Sequence, residues 1–400
     1  MSAPATVLVS GGGPVGLALA ALLAGGPCGG RVRVKVLEPR PAPPWDPERM
    51  DLRVYALSRA SQRIFERLGR WDDVLAARAS PYRTMRVWQG DEPRGTASIV
   101  FDSADIAEPD LGHIVEDRLL RQVLADAVRA SPHGEIDSAA EVVAVSLAPE
   151  EVTVTLADGR TDRGALLVAA DGSESRLRAL LGLATVGRGY GQRAIVTHVT
   201  TELPHEETAW QRFLPGGPLA FLPLLDGRSS VVWSMPEEQA ARLCAASDDE
   251  FLAALQQASG GVLGLLGPCT ERASFALKAL HAPRYTRPRA VLLGDAAHTV
   301  HPLAGQGMNL GLLDAACLAA VLERAVEAGE DIGDLPVLRR YERERKPDNL
   351  RMLVAFDALE RLFRLPAFIA PVRGLGMAAV NGSGLAKRLL IAKAMGLAHR

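Results

Sequence analysis

A chain of 400 residues, 48% hydrophobic and 23% charged, has the make-up of an ordinary soluble globular protein with room for two or three structural units. A formal net charge of -2 gives no overall pull toward nucleic acid or acidic surfaces. The longest apolar run, residues 15–24, is too short to span a bilayer, no signal peptide precedes the first strand, and the four cysteines are scattered without a Cys-x-x-Cys, so the expected setting is a reducing cytoplasm.

Residues 6–10 predict a short buried strand, 14–24 an apolar helix and 32–38 a second strand. This is a βαβ unit, which requires a right-handed crossover and a parallel sheet. Its turn reads Gly11-x-Gly13-x-x-Gly16, with Pro14 and Val15 entering the helix. Gly11 permits the tight turn, Gly13 lets backbone approach a pyrophosphate, and Gly16 allows close helix–strand packing. Glu38, at the end of the next strand, can accept a hydrogen bond from an adenosine ribose hydroxyl. A loop with five prolines follows over 39–47.

Residues 60–68 and 117–129 predict helices. A meander is expected over 141–147, 152–156 and 165–170, with a turn at Asp158-Gly159 and the last strand running into Asp171-Gly172. Asp171 could act on cofactor phosphates by fixing Arg178, or the two could form a turn closed by a salt bridge. From 193 to 280 alternating segments, with turns at Pro215-Gly216-Gly217 and Asp226-Gly227, predict an antiparallel sheet in a separate layer. Residues 290–293 resume a buried parallel-type strand, and 309–322 and most of 335–400 are helical by pattern. The fold class is therefore α/β: a Rossmann-like FAD-binding domain with an inserted antiparallel β-sheet substrate domain and C-terminal helices. The expected boundaries are 1–182 with 285–330, then 183–284, then 331–400, with 82–105 able to join the substrate sheet.

The segment closing the 290–293 strand carries the sharpest chemistry. Asp295 after Gly294 can hold a ribose hydroxyl, or cap the helix start before Ala296. Gly305, Gly307 and Gly311 suit main-chain N–H groups approaching a flavin, which needs such donors near its pyrimidine end. Asp295, His298 and His301 at spacings of three invite a metal reading, but nothing supplies further ligands, so no metal is expected. The chain has no Gly-x-Ser-x-Gly, which argues against an α/β-hydrolase.

With these motifs in order, the chain resembles the class A flavoprotein monooxygenases, the p-hydroxybenzoate-hydroxylase-like group, and within it the ubiquinone-biosynthesis hydroxylases. The resemblance rests on Gly11 to Gly16, on Asp171-Gly172 through Arg178, and on Gly294-Asp295 through Gly305, Gln306, Gly307, Met308 and Asn309. Further support comes from Asp51-Leu52-Arg53-Val54-Tyr55-Ala56-Leu57-Ser58 and from Tyr341-Glu342-Arg343-Glu344-Arg345-Lys346-Pro347-Asp348-Asn349. It implies FAD as cofactor and NAD(P)H as co-substrate, with O2 adding at flavin C4a and the hydroperoxide passing a hydroxyl to the phenolic ring of a polyprenyl quinone precursor. It also implies that Arg118 contacts cofactor phosphates, that Arg53 lies near the flavin, and that His301 and Pro302 lie beside it. His301 would set the phenol's hydrogen bonding or the hydroperoxide's proton, or be structural. Glu116-Asp117-Arg118 departs from the family's usual Glu-Asn-Arg and brings a negative charge close to Arg118.

Residues 361–400 hold seven basic and no acidic residues, interleaved with apolar ones. They predict either a basic amphipathic surface able to touch an anionic membrane from the cytoplasmic side, or helices packed on the core or on a partner in a quinone-biosynthesis complex. The alternatives to a prenyl-phenol hydroxylase are the same fold acting on a small soluble phenol, a non-catalytic subunit of such a complex, and a flavin halogenase. The last is disfavoured because Val231-Val232-Trp233-Ser234-Met235-Pro236 lacks the first Trp and the Ile of the halogenase segment.

Overall fold

The apolar run Val7-Leu8-Val9 builds the centre of strand β1 (Ala5–Ser10), which pairs in parallel with β2 (Val32–Glu38) on one side and with Leu166–Ala169 on the other. These elements belong to a computed structural model that describes residues 4–27, 30–300, 305–365 and 367–397. The full sheet runs Thr286–Arg287, Ala290–Leu292, Leu166–Ala169, β1, β2, Gly134–Ser138. Helix α1 (Pro14–Gly25) is buried at every residue except Val15 and Gly25, because it lies between the sheet and the helices Asp117–Ala130 and Gln306–Glu327. The turn before it needs glycine: Gly11 has φ +116°, and a Cβ there would sit 2.3 Å from the Ala170 carbonyl oxygen.

Two local expectations change. The meander's third strand is Thr161–Gly164, and the chain then crosses into the parallel sheet with Leu166–Ala169. The division follows burial, since the four residues Leu166–Ala169 are buried on both faces whereas Thr161–Gly164 is mostly exposed. The helix expected to begin at 309 begins at Gln306, with Gly305 as its N-cap. Glycines at 307 and 311 depress helix propensity, but tertiary packing overrides it. A Cβ on Gly311 would lie 2.7 Å from Val15 Cγ2, and one on Gly294 3.2 Å from Val15 Cγ1, so these glycines let α1 and the later helix meet the 294 turn closely.

A second sheet, of nine strands among the described residues, follows the path His298–Thr299, Ala273–His281, Val186–Thr201, Ser229–Pro236, Gly217–Pro223, Thr208–Leu214, Thr84–Gln89, Ser98–Asp102, with Leu266–Cys269 off the path. It is antiparallel except where Thr208–Leu214 runs parallel to Thr84–Gln89. One face packs a core of Trp88, Ile195, Phe221, Trp233 and Phe251, closed by the helix Asp248–Ser259. The other face looks into a cavity. Helices Ala370–Gly382 and Gly384–Ala394 lie over the edge strand Ser98–Asp102 and its following turn, where the Asn381 side chain accepts from Val100 N at 3.0 Å.

A buried polar cluster locks the layers together. The His298 ring and the Asp314 carboxylate are fully buried, with Nε2 and Oδ2 2.5 Å apart. Asp314 Oδ1 accepts from Arg345 Nε at 2.7 Å and from Asn349 Nδ2 at 3.1 Å. Burial alone would raise the Asp314 carboxyl, but His298 and Arg345 outweigh it and hold the group below the usual carboxylate range. Arg345→Met is expected to cost about 3–5 kcal/mol of unfolding free energy, because it strips a buried carboxylate of its cation; urea denaturation at neutral pH measures this. A depressed folded pKa gives stability that is complete above the unfolded value of about 3.9 and lost as pH falls through the lower folded value. Asp314→Asn should therefore be less stable than the parent at neutral pH, with the gap closing in acid melts.

Candidate active site

The parallel sheet gathers at one edge residues that the sequence scatters over 280 positions. Asp295 follows Ala290–Leu292, Asp171 follows Leu166–Ala169, the Gly11–Gly13 turn follows β1, and Glu38 ends β2; these are four adjacent strands. With strands roughly 4.8 Å apart the edge is about 14 Å wide. Ligands bind at this C-terminal edge in such sheets. Glu38 accepts from Gly12 N at 2.5 Å and from Arg40 N at 3.0 Å. It lines the cavity with Gly11, Gly13, Pro14, Val15, Asp171 and Gly172.

Two helix N-termini open onto the same space. Neither α1, capped by Gly13, nor Gln306–Glu327, capped by Gly305, has a side chain bonded to its first-turn amides. Helix N-termini of this kind direct main-chain N–H groups and a positive dipole end toward an anion or a carbonyl-rich ring. Gly305, Gln306, Gly307 and Met308 line the cavity here, facing Asp295. Asp295 does not cap the turn that contains it; Leu293 is the N-cap of Gly294–Ala296 and no side chain closes it. The Asp295 carboxyl is raised by burial, with His298 and Arg53 opposing. A group in that state gains from hydroxyl donors of a ligand.

Arg53 projects into the cavity, its guanidinium 5.3 Å from the centre of the Tyr55 ring. Tyr55 first, with Asp117, Asp295 and Asp51 assisting, keeps it firmly charged against the effect of burial. The Tyr55 hydroxyl donates to Asp117 at 2.9 Å, and Asp117 also accepts from Arg121 Nε at 2.7 Å. Arg121 lines the cavity, with Nη1 3.5 Å from the Gly12 carbonyl oxygen. Arg118, one turn earlier, is directed at Asp51 at 3.8 Å and lies outside the cavity wall. The sequence offered no way to choose between these arginines, since the choice depends on how helix Asp117–Ala130 is rotated against the sheet.

Other expected residues act as supports. Asp171 accepts from Ser175 Oγ at 2.5 Å and from Leu177 N at 3.0 Å, so it closes its own turn instead of pairing with Arg178. Arg178 instead donates to the carbonyls of Ala296 at 3.0 Å and Ser173 at 3.1 Å, tying two motifs together from outside the cavity. Asn309 accepts from Ser58 N at 2.9 Å and Ser61 Oγ at 2.7 Å and donates to the Ala56 carbonyl at 2.9 Å, which fixes the Arg53–Tyr55 strand to the helix. Gly16 packs 3.2 Å from Ala170 by its built Cβ position, and Gly294 against Val15. His301 and Pro302 lie outside the described residues. His298, the remaining member of the metal spacing, is committed to Asp314.

The cavity measures about 1590 Å³ and runs from the sheet edge across the inner face of the second sheet to Phe356, Phe363, Val372 and Met377 under the C-terminal helices. That volume exceeds the usual range for one small ligand. Its two helix N-termini, the acids Glu38 and Asp295 and the glycine turn fit an extended flavin dinucleotide, with space left for a second, mostly apolar molecule.

Comparison with known proteins agrees with this geometry. A family model described as an FAD binding domain matches residues 4–354. The ubiquinone hydroxylase UbiL of Rhodospirillum rubrum is 40% identical over 400 residues, covering 98% of this chain and 90% of that protein. The 3-demethoxyubiquinol 3-hydroxylase of Escherichia coli is 35% identical over 397 residues, covering 98% and 99%. Among solved structures, the p-nitrophenol 4-monooxygenase PnpA of Pseudomonas putida shares the fold, with a TM-score of 0.80 over 100% of both chains at 21% identity. The chain thus belongs to the FAD-dependent class A monooxygenases, in the family of ubiquinone-biosynthesis hydroxylases.

Proposed function

We propose that this enzyme hydroxylates the phenolic ring of a polyprenylated ubiquinone precursor, drawing on NAD(P)H and O2. The observation that carries the reading is the single cavity that continues from the dinucleotide edge into an apolar space roofed by the C-terminal helices. A small soluble phenol would leave most of that apolar space empty, while an isoprenoid chain fills it. FAD supplies the oxygen-transfer chemistry when bound. The chain's part is to hold it through the Gly11–Gly13 turn, Glu38, Asp295, Arg121 and the amides at 305–308, and to exclude water around the ring. Arg53 faces the same space and offers a fixed positive charge to an anion developing there.

Contact with a membrane surface on the cytoplasmic side completes the proposal. Among the described residues no helix is long and apolar enough to cross a membrane. The C-terminal helices instead expose Phe368 at 78%, Leu375 at 72% and Leu385 at 72%. Their basic residues are largely engaged within the protein: Arg361 with Asp357, Arg364 with Glu360, Lys387 with Asp105, and Arg373 on the carbonyls of Leu362 and Leu365. Apolar insertion therefore outweighs charge in this reading.

Three outcomes are expected. Deleting the gene should make the host accumulate a prenylated quinone precursor short of one ring hydroxyl, seen by mass spectrometry of lipid extracts; unchanged quinone levels in a host with no second hydroxylase of this kind would refute the assignment. Arg121→Leu should weaken FAD binding by about tenfold, as loss of a charge-assisted hydrogen bond does, while Arg118→Leu stays within about twofold of the parent on fluorescence titration of apoprotein. In vesicle flotation the protein should bind neutral phosphatidylcholine with little sensitivity to salt, and the double change Phe368→Glu with Leu375→Glu should abolish binding; retention by the double variant would remove the lipid contact.

A further inference from the structure

One cross-strand row dominates the sheet face that looks into the cavity. Ile99 lies opposite Val87, Val87 beside Gln211, Gln211 opposite Ala220, Ala220 opposite Val232, and Val232 opposite Val196. All six residues line the cavity. Five are aliphatic, and Gln211 alone carries hydrogen-bonding groups. It is 6% exposed, and its side-chain amide has no hydrogen-bond partner among the described residues. The amide is reached from the cavity and is not sealed inside the wall, so a bound molecule can meet it directly. An amide aimed from an aliphatic wall into a large cavity therefore points to a ligand that satisfies it.

Its place on the strand says which part of the ligand. The neighbours on the same face, Ala209 and Phe213, belong to different apolar clusters. Ala209 groups with Ala56, which lies 3.7 Å from the built Cβ position of Gly305. Phe213 packs with Val300, which lies 3.7 Å from that of Gly307. Gln211 thus stands between an apolar cluster that includes Ala56 and one that includes Val300. The aliphatic members of the row extend from it toward both sheet edges.

We propose that the Gln211 amide binds an oxygen substituent of the substrate ring, a hydroxyl or methoxy group, and so fixes which ring carbon faces the oxygen donor. This rests on the hydroxylase reading above and names the residue that reads the ring. The aliphatic residues beside it take the hydrocarbon.

The test uses purified FAD-loaded protein and two probes, 2-geranylphenol and geranylbenzene, which differ by one ring hydroxyl. Binding is followed by calorimetry and by perturbation of the flavin absorbance. The parent should prefer the phenol by about tenfold, the value of one well-made neutral hydrogen bond. Gln211→Met and Gln211→Leu should bind geranylbenzene as the parent does and lose the preference for the phenol to within about twofold. Either variant keeping the full preference, or weakening both probes equally, would overturn the proposal. Equal FAD content in parent and variants shows that the fold is intact, and having two apolar variants guards against the failure of one. A parent that discriminates between the probes yet hydroxylates no prenylated phenol would support the Gln211 assignment and defeat the function proposed above.

Discussion

The Asp314 carboxylate is the point on which the layers of this enzyme depend. It has no contact with solvent, and it holds at once the strand carrying His298 and the long helix carrying Arg345 and Asn349. The helix in which Asp314 sits begins at the glycine-capped N-terminus that faces the cavity. A charge buried this deeply is tolerated only with its partners in place, so the three elements hold one another in register. The consequence is positional. The segment 294–300 cannot shift relative to the helix N-terminus at 305–307 without breaking the cluster, and atoms that line a binding cavity gain precision from that rigidity.

Around this anchor the molecule divides its labour between two sheets. The parallel sheet presents amides and carboxylates along one edge and suits a polar, extended ligand. The second sheet presents mostly aliphatic side chains and suits an apolar one. They meet at one cavity, and the C-terminal helices roof its far end through bonds from Gln89 to the Ala370 carbonyl and from Arg373 to Gln89. Arg53, Asp295 and Gln211 all turn polar groups toward that cavity. That is the expected mark of surfaces completed by ligands.

Much of the strand-end edge that lines the cavity was legible from the chain. Each of its parts sits at a strand end with a local signature: glycines, an acid, a following helix. What was not legible depends on distant parts of the chain. Arg121 and not Arg118 lines the cavity, a matter of how one helix is turned against the sheet. The basic excess of 361–400 is offset by Asp357, Glu360 and Asp105, all outside that window. Gln211 follows a plain alternating pattern and gains meaning only when five neighbouring strands set their register beside it. Arg178 kept its neighbourhood but changed partner, since two carbonyls, one of them 118 residues away, outcompeted Asp171.

The parallel pairing of Thr84–Gln89 with Thr208–Leu214 has a consequence for how the molecule forms. More than a hundred residues separate the two strands, so the contact order of the substrate sheet is high and its closure is slow. On the ribosome, strands 84–89 and 98–102 emerge long before their scaffold exists. The edge of 84–89 stays unpaired until the strand at 208–214 has been synthesised, and the apolar cavity face, Val87 and Phe101 included, waits longer still for the C-terminal helices. The nascent chain therefore passes through an interval in which a bare β-edge is exposed, and such edges are aggregation-prone and draw on chaperones.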